Sequence, residues 1–244
     1  MKKAILLLST ALMLLVLVSC AGKKKNNDQP EVVVSEQKDN KELITSSEQA
    51  GGNFNNVKIG KQIWMTENLN ISTYRNGDPI TQVQDAAKWN KLDSGAFCYY
   101  ENKAANGAKY GKLYNWYAVT DPRGLAPQGW HVPSDAEWKQ LIDYLGGENE
   151  AGKRLKNNSG WDECEGKSCN GNNNTRFAAL PAGFRDFFGP FNSLGSYGLW
   201  WSSNEDRMYS RNGIFRCMGY NCSNVFSNNF TKRRGISVRC VKDD

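Results

Sequence analysis

Six cysteines follow Cys20 in this chain, and together with a single histidine they are the side chains best equipped for chemistry. Cys164 and Cys169 enclose four residues, and so do Cys217 and Cys222. At that spacing each pair could close a small local loop, leaving Cys98 to find Cys240, one of the several connectivities that six cysteines allow. A four-thiolate zinc site is the competing use, but the spacing is at the loose end of zinc motifs, so no metal and no cofactor is expected. Any scheme of acid-base or nucleophilic catalysis that needs histidine must run through His131. It stands between Trp130 and Val132, the setting of a core histidine satisfied by backbone groups, and no catalytic role is assigned to it. Asp135 and Glu137 make a carboxylate pair nearby, and helix capping with the helix dipole accounts for both. Neighbouring strand residues face opposite ways, so Trp200 and Trp201 read as one ring in the core and one at the surface. No set of catalytic residues emerges, and the chain is expected not to be an enzyme.

The elements that position these residues follow from local signals. Asn56-Val-Lys-Ile-Gly60 and Gln62-Ile-Trp-Met-Thr66 alternate around Gly60-Lys61, which predicts an opening hairpin. A short strand is expected at Phe97-Cys-Tyr-Tyr100. Leu113, Trp116 and Tyr117 share one helical face, predicting a helix from Tyr110 to Val119 that ends at Asp121-Pro122. Ser134 and Glu137 have the spacing of a capping box, followed by Trp138, Leu141, Ile142 and Leu145 on one face and Gly146-Gly147 as a stop. A shorter helix is expected from Glu150 to Lys156, and a long loop from Asn157 to Asn174. Strand-like pieces then run from Arg176 to Leu180, Leu199 to Ser202, Met208 to Arg216, Asn224 to Phe226 and Ile236 to Val241. A hairpin, two main helices, a long loop and antiparallel strands make an α+β pattern.

The N-terminal end gives the compartment. Lys2-Lys3, an apolar run from Ala4 to Val18, and Leu17-Val18-Ser19-Cys20 form a secretory signal over residues 1–19 that resembles the bacterial lipobox. That resemblance implies cleavage before Cys20 and lipidation of its thiol, an anchor that makes a membrane the first partner. Residues 20–52 are polar and lack aromatics, as a flexible tether does, and its Lys23-Lys24-Lys25 run suits phospholipid head groups. The remainder, residues 53–244, is long enough for one domain with a sizeable core. The chain's net charge of +6 is spread without a basic stripe, so nucleic acid is not expected as a partner. An exported chain also favours disulfides.

Six segments carry a more specific signal: Lys58-Ile-Gly-Lys-Gln-Ile-Trp-Met-Thr-Glu-Asn-Leu69, Tyr110-Gly-Lys-Leu-Tyr-Asn-Trp-Tyr-Ala-Val119, Gly129-Trp-His-Val-Pro-Ser-Asp-Ala-Glu-Trp138, Ala179-Leu-Pro-Ala-Gly-Phe-Arg185, Gly198-Leu-Trp-Trp-Ser-Ser203 and Gly235-Ile-Ser-Val-Arg-Cys-Val-Lys-Asp243. In this order they resemble the Fibrobacter succinogenes major paralogous domain family. The resemblance implies a C-type-lectin-like fold, shared with the formylglycine-generating enzyme. There the terminal strands pair, two helices flank twisted antiparallel strands, and long loops near the C-terminus form a ligand face. It also implies a place, since members are mostly envelope lipoproteins or secreted proteins without an assigned activity. The expected setting is therefore the cell envelope, at the outer membrane.

On that fold the expected ligand face lies between Tyr209 and Arg234, where Tyr, Arg, Asn and Ser offer flat apolar area and adaptable hydrogen bonding. The candidate contacts are Tyr209, Arg211, Arg216, Tyr220, Asn221, Asn224, Asn228 and Arg234, for a glycan or a protein at the envelope. Retroelements diversify some proteins of this fold at Asn-rich positions, which Asn221, Asn224, Asn228 and Asn229 resemble. The Glu-Pro-Asn, Gln-Pro-Asp and Trp-Asn-Asp signatures of calcium-dependent lectins do not occur. The formylglycine-generating enzyme implies one rival, because its two copper-binding thiols have the spacing of Cys217 and Cys222 ahead of an Arg-Cys segment like Arg239-Cys240. A purely structural envelope role is the other.

Overall fold

The computed structural model describes residues 54–244. The expected signal peptide over 1–19, the lipidation site Cys20 and the tether over 20–52 lie outside the described residues.

The domain opens with strands β1 (Asn56–Ile59) and β2 (Gln62–Met65), paired antiparallel with Ile59 opposite Gln62. The two-residue turn between them holds Gly60 at φ +60°, the left-handed region that hairpin turns use. Strand β3 (Thr81–Gln82), helix α1 (Ala86–Asn90) and strand β4 (Ala96–Cys98) follow, then a 3₁₀ turn at Tyr100–Asn102. Next come helix α2 (Ala104–Tyr110), strand β5 (Leu113–Tyr114) and helix α3 (Trp116–Val119). The single helix expected from Tyr110 to Val119 is thus broken. Gly111 at φ +76° ends α2, while the Asn115 side chain accepts the Ala118 amide to start α3.

Strand β6 (Trp130–His131) leads into α4 (Asp135–Tyr144), where the expected capping box is formed. Its end is as legible: Gly147 N–H donates to the Ile142 carbonyl and Gly146 N–H to that of Asp143, with both glycines at positive φ. Helix α5 (Ala151–Leu155) precedes the long loop, which contains the small hairpin β7 (Glu163–Cys164) and β8 (Lys167–Ser168). No strand forms over residues 176–180. Arg176 and Ala178 sit at φ +58° and +54°, and Asn173 and Thr175 side chains take the Ala178 and Phe177 amides that a ladder would need.

Strands β9 (Ala182–Arg185) and β10 (Phe191–Leu194) pair with each other. The three longest strands are β11 (Tyr197–Glu205), β12 (Asn212–Gly219) and β13 (Val225–Thr231), one antiparallel sheet in chain order. Strand β14 (Val241–Lys242) is all that becomes regular of the expected Ile236 to Val241 strand. It lies between β2 and β6 in the order β1-β2-β14-β6, so the first hairpin and the last strand pair. The architecture is α+β, built from small open sheets that are mostly antiparallel, with few helices.

Residues 235–241 are buried throughout and hydrogen-bond in turn to distant segments. Ile236 exchanges backbone bonds with Tyr114, Ser237 accepts from Trp201 N–H, Val238 from Leu69 N–H, and Cys240 from Met65 N–H. On one side of this spine Trp64, Trp138, Trp200 and Phe177 pack together, with the Trp64 and Trp138 rings 4.8 Å apart. On another, Tyr114, Trp201, Phe215, Ile236 and Val238 share a second cluster.

Of the expected disulfides only Cys164–Cys169 is bonded. Cys98 and Cys240, expected to pair, are buried thiols in different core clusters. Cys217 and Cys222 are also free thiols, half-buried in the sheet and the turn after it. The even cysteine count was satisfied by packing, since a free thiol behaves as a small apolar side chain.

Candidate functional site

The expected ligand face begins in the turn between β11 and β12, where Tyr209 is 58% accessible and Met208, just before that face, 83%. The shape of the turn comes from Asp206. One carboxylate oxygen accepts the Met208 and Tyr209 amides, both at 2.8 Å, and the other accepts Asn229 Nδ2 at 2.8 Å. The Asn212 amide closes the turn onto the Tyr209 carbonyl. Local bonds to Asp206 replace the ladder here, which is why the strand expected from Met208 starts only at Asn212. Arg211 is exposed beside the tip, and its carbonyl takes the Lys232 amide. Asn228 is exposed on β13, the free edge of the sheet, and its side chain accepts the Asn229 amide.

The other residues expected on this face lie away from the tip. Arg216 is buried at 3% exposure on β12, paired with Asp135 at 2.5 Å and more loosely with Glu148 at 3.8 Å. It ties the sheet to the start of α4. Arg234 pairs with Asp186 at 2.9 Å and lies 3.7 Å over the Phe230 ring, and burial lowers its pKa despite that partner. Tyr220 is half-buried against the tryptophan cluster. Asn224 donates to Asn149 at 2.7 Å, and Asn221 is exposed in the turn after β12. Five of the eight candidates therefore do not join the tip.

The cysteine-rich turns meet at a residue that local patterning did not single out. Lys156 is buried at 3% exposure, and its ammonium donates to the carbonyls of Cys169, Gly219, Tyr220 and Cys222 at 2.9–3.2 Å. Desolvation pulls its pKa down to about 8. One cation thus pins the disulfide loop and the turn after β12 together. Cys217 on β12 is pushed up to about 12 by burial, with the Cys222 thiol adding to the shift. Copper needs the thiolate, which this setting disfavours, and no group of three or more His, Cys, Asp or Glu side chains is placed to share a metal among the described residues.

His131 has partners, but they are not the expected backbone groups. Its Nε2 meets Glu137 Oε1 at 2.6 Å and its Nδ1 meets Asp243 Oδ1 at 2.7 Å. Burial works against the imidazolium, yet the two hydrogen bonds and two negative charges together outweigh it and the pKa is raised. With both nitrogens committed to carboxylates, neither is left to take a proton from a substrate. The other Glu137 oxygen accepts Ser134 N–H and Oγ–H, so the helix cap and the histidine share one carboxylate.

A cleft of about 280 Å³ opens between the segment after β2 and the start of the long loop. Arg239 lines it, 1% exposed, with Asn68 as its main partner. Asn68 Oδ1 accepts from Arg239 Nη2, Arg239 Nε and Trp200 Nε1, while its Nδ2 donates to the Tyr110 carbonyl. The partners are 171 positions apart in the chain, a relationship that no local pattern signals.

The family model described as the Fibrobacter succinogenes major domain matches residues 57–242. No curated protein and no solved structure matches the chain. The match runs from the first hairpin through the cleft, the tip and the spine to β14, and the chain belongs to the Fibrobacter succinogenes major domain family.

Proposed function

We propose that this chain is a lipoprotein of the cell envelope, anchored at the outer membrane through Cys20, whose domain recognises a glycan or protein ligand without chemistry. The observation that carries the reading is the Asp206 clamp, which presents Met208 and Tyr209 to solvent on a turn already locked by four hydrogen bonds. A preorganised turn loses little freedom on binding, and a flat ring beside an adaptable thioether gives contact area for small entropic cost. Arg211 and Asn228 supply polar contacts around it. The occupied ring nitrogens of His131 support a role without acid-base chemistry. The likeness to C-type lectins is part of the same reading, supported by the pairing of β14 with β2.

The test is capture of envelope glycans or proteins by the full-length protein. Tyr209→Ala and Met208→Ala should each abolish capture while leaving the melting temperature unchanged. Capture that survives both changes would sink the reading. For the anchor, intact-mass analysis of membrane-extracted protein should begin at Cys20 with added acyl mass, and Cys20→Ala should leave the chain unprocessed. The rivals have their own outcomes. Turnover of a cysteine-containing peptide with copper and oxygen would favour the oxidase, and neither capture nor turnover would favour a structural role.

A further inference from the structure

The cleft beside Arg239 contains a buried guanidinium that has no direct ion pair among the described residues, although Glu67 in the same lining acts on its charge from farther off. The guanidinium has five N–H donors. Four bonds go to neutral acceptors: Nε and Nη2 to Asn68 Oδ1, and Nη1 to the carbonyls of Met65 and Phe177. One Nη2 hydrogen has no bonded acceptor among the described residues. No carboxylate lies within ion-pair distance of Arg239 among the described residues, although the side chain is 1% exposed. Burying a cation without a direct ionic partner is costly, and carbonyl dipoles with a more distant carboxylate offset only part of that cost. Asn68 cannot help further, since its amide is already committed to Tyr110, Trp200 and Arg239. Its role is to hold the guanidinium still at the wall of the cleft.

The rest of the lining has a matching polarity. Lys109 adds a second cation, Thr66 and Asn157 offer polar groups, and Leu180 provides an apolar patch. Glu67 lines the same cleft, so one acidic group faces two basic ones. A volume of about 280 Å³ suits a single small solute and not a polymer.

We propose that this cleft binds a small carboxylate that also bears hydroxyl or amino groups, with its acid between Arg239 and Lys109 and its neutral or cationic end toward Glu67. A carboxylate can take the one free Nη2 hydrogen of Arg239 while the exposed Lys109 ammonium supplies a second charge-assisted bond, each about twice as strong as a neutral one. Sugar acids and free amino acids both have this chemistry. The site is distinct from the Met208–Tyr209 tip, none of whose residues line it.

Calorimetric titration of the full-length protein with glucuronate, glutamate and glucose tests this. At least one of the two acids should bind saturably, and which one does identifies the source of the carboxylate. Glucose should bind at least tenfold more weakly. Lys109→Glu changes an exposed residue and should keep the melting temperature while weakening acid binding tenfold or more. Tyr209→Ala should leave acid binding intact, which separates this site from the recognition tip. No saturable binding of either acid, equal binding of glucose, or indifference to Lys109→Glu would overturn the proposal. Arg239→Lys serves as a second variant, read by binding only if its melting curve remains cooperative.

Discussion

His131 and Glu137 are joined at 2.6 Å across the entry to α4, and Asp243 closes the other side of the ring at 2.7 Å. The folded state therefore raises the histidine pKa and lowers that of Glu137, whose burial is outweighed by its bonds to Ser134 and His131. A raised histidine contributes stability that is complete below its unfolded value of about 6.5 and is lost as pH rises through the folded value. A lowered glutamate contributes stability that is complete above its unfolded value and is lost as pH falls through the folded one. Thermal melting should peak between these limits, and His131→Gln should remove the decline on the alkaline side. An unchanged alkaline limb in that variant would contradict the linkage.

Arg216 and Tyr209 should respond to substitution in opposite ways. Removing the buried Arg216 leaves Asp135 without its cation, and because that carboxylate is about a third exposed the cost should be at the low end for a buried pair, about 3 kcal/mol. Tyr209→Ala touches only an exposed ring and should stay within about 0.5 kcal/mol. Urea unfolding of both variants measures the difference.

The cysteine state can be counted directly. Alkylation of unfolded protein without reductant should add four labels among Cys98, Cys217, Cys222 and Cys240, with Cys164 and Cys169 protected until reduction. In the native protein Cys98 and Cys240 should resist labelling, since both are inaccessible and burial pushes each thiol up to about 12. Fewer than four labels after unfolding would mean that a further pair is closed.

Helix α4 should show separable cap and core contributions. Ser134→Ala removes the side chain that accepts the Glu137 amide and should cost about 1 kcal/mol. Trp138→Ala empties the centre of the tryptophan cluster and should cost about 3–5 kcal/mol. A cap loss equal to the core loss would mean that Ser134 does more than start the helix.

Lys156→Met should loosen two turns at once. It leaves the carbonyls of Cys169, Gly219, Tyr220 and Cys222 without their shared donor, at about 1–3 kcal/mol for a buried group so abandoned. Limited proteolysis should then cut near residues 165–167 or 220–223, sites protected in the parent.

What the sequence made legible was local. The capping box at Ser134, the Gly60-Lys61 turn and the Gly146-Gly147 stop depend on residues within a few positions of each other, and each was formed where expected. The misread elements depend on side chains that redirect the backbone. Asn115 and Gly111 divide one helical pattern in two, Asp206 turns a strand into a tip, and Asn173 with Thr175 removes another strand. The candidate site was half legible for a related reason. Composition marked the stretch from Tyr209 to Arg234, but burial of Arg216 depends on Asp135, 81 positions earlier, and the Asn68–Arg239 contact spans almost the whole domain. Cysteine arithmetic failed because parity says nothing about which thiols pack apart.

The spine of residues 235–241 also makes the core depend on a segment that is synthesised late. Tyr114, Trp201, Leu69 and Met65 each give or take a backbone bond with this late segment, so the central sheets have no common partner until it arrives. Contacts this far apart in sequence close slowly, because the loop entropy is lost before the contacts that repay it can form. A ribosome making the chain from its N-terminus would therefore hold an incomplete core until residues 235–241 are free. A stop codon a few positions before Gly235 would leave most of the hydrophobic residues in place and remove the segment that bonds to Tyr114, Trp201, Leu69 and Met65 in turn.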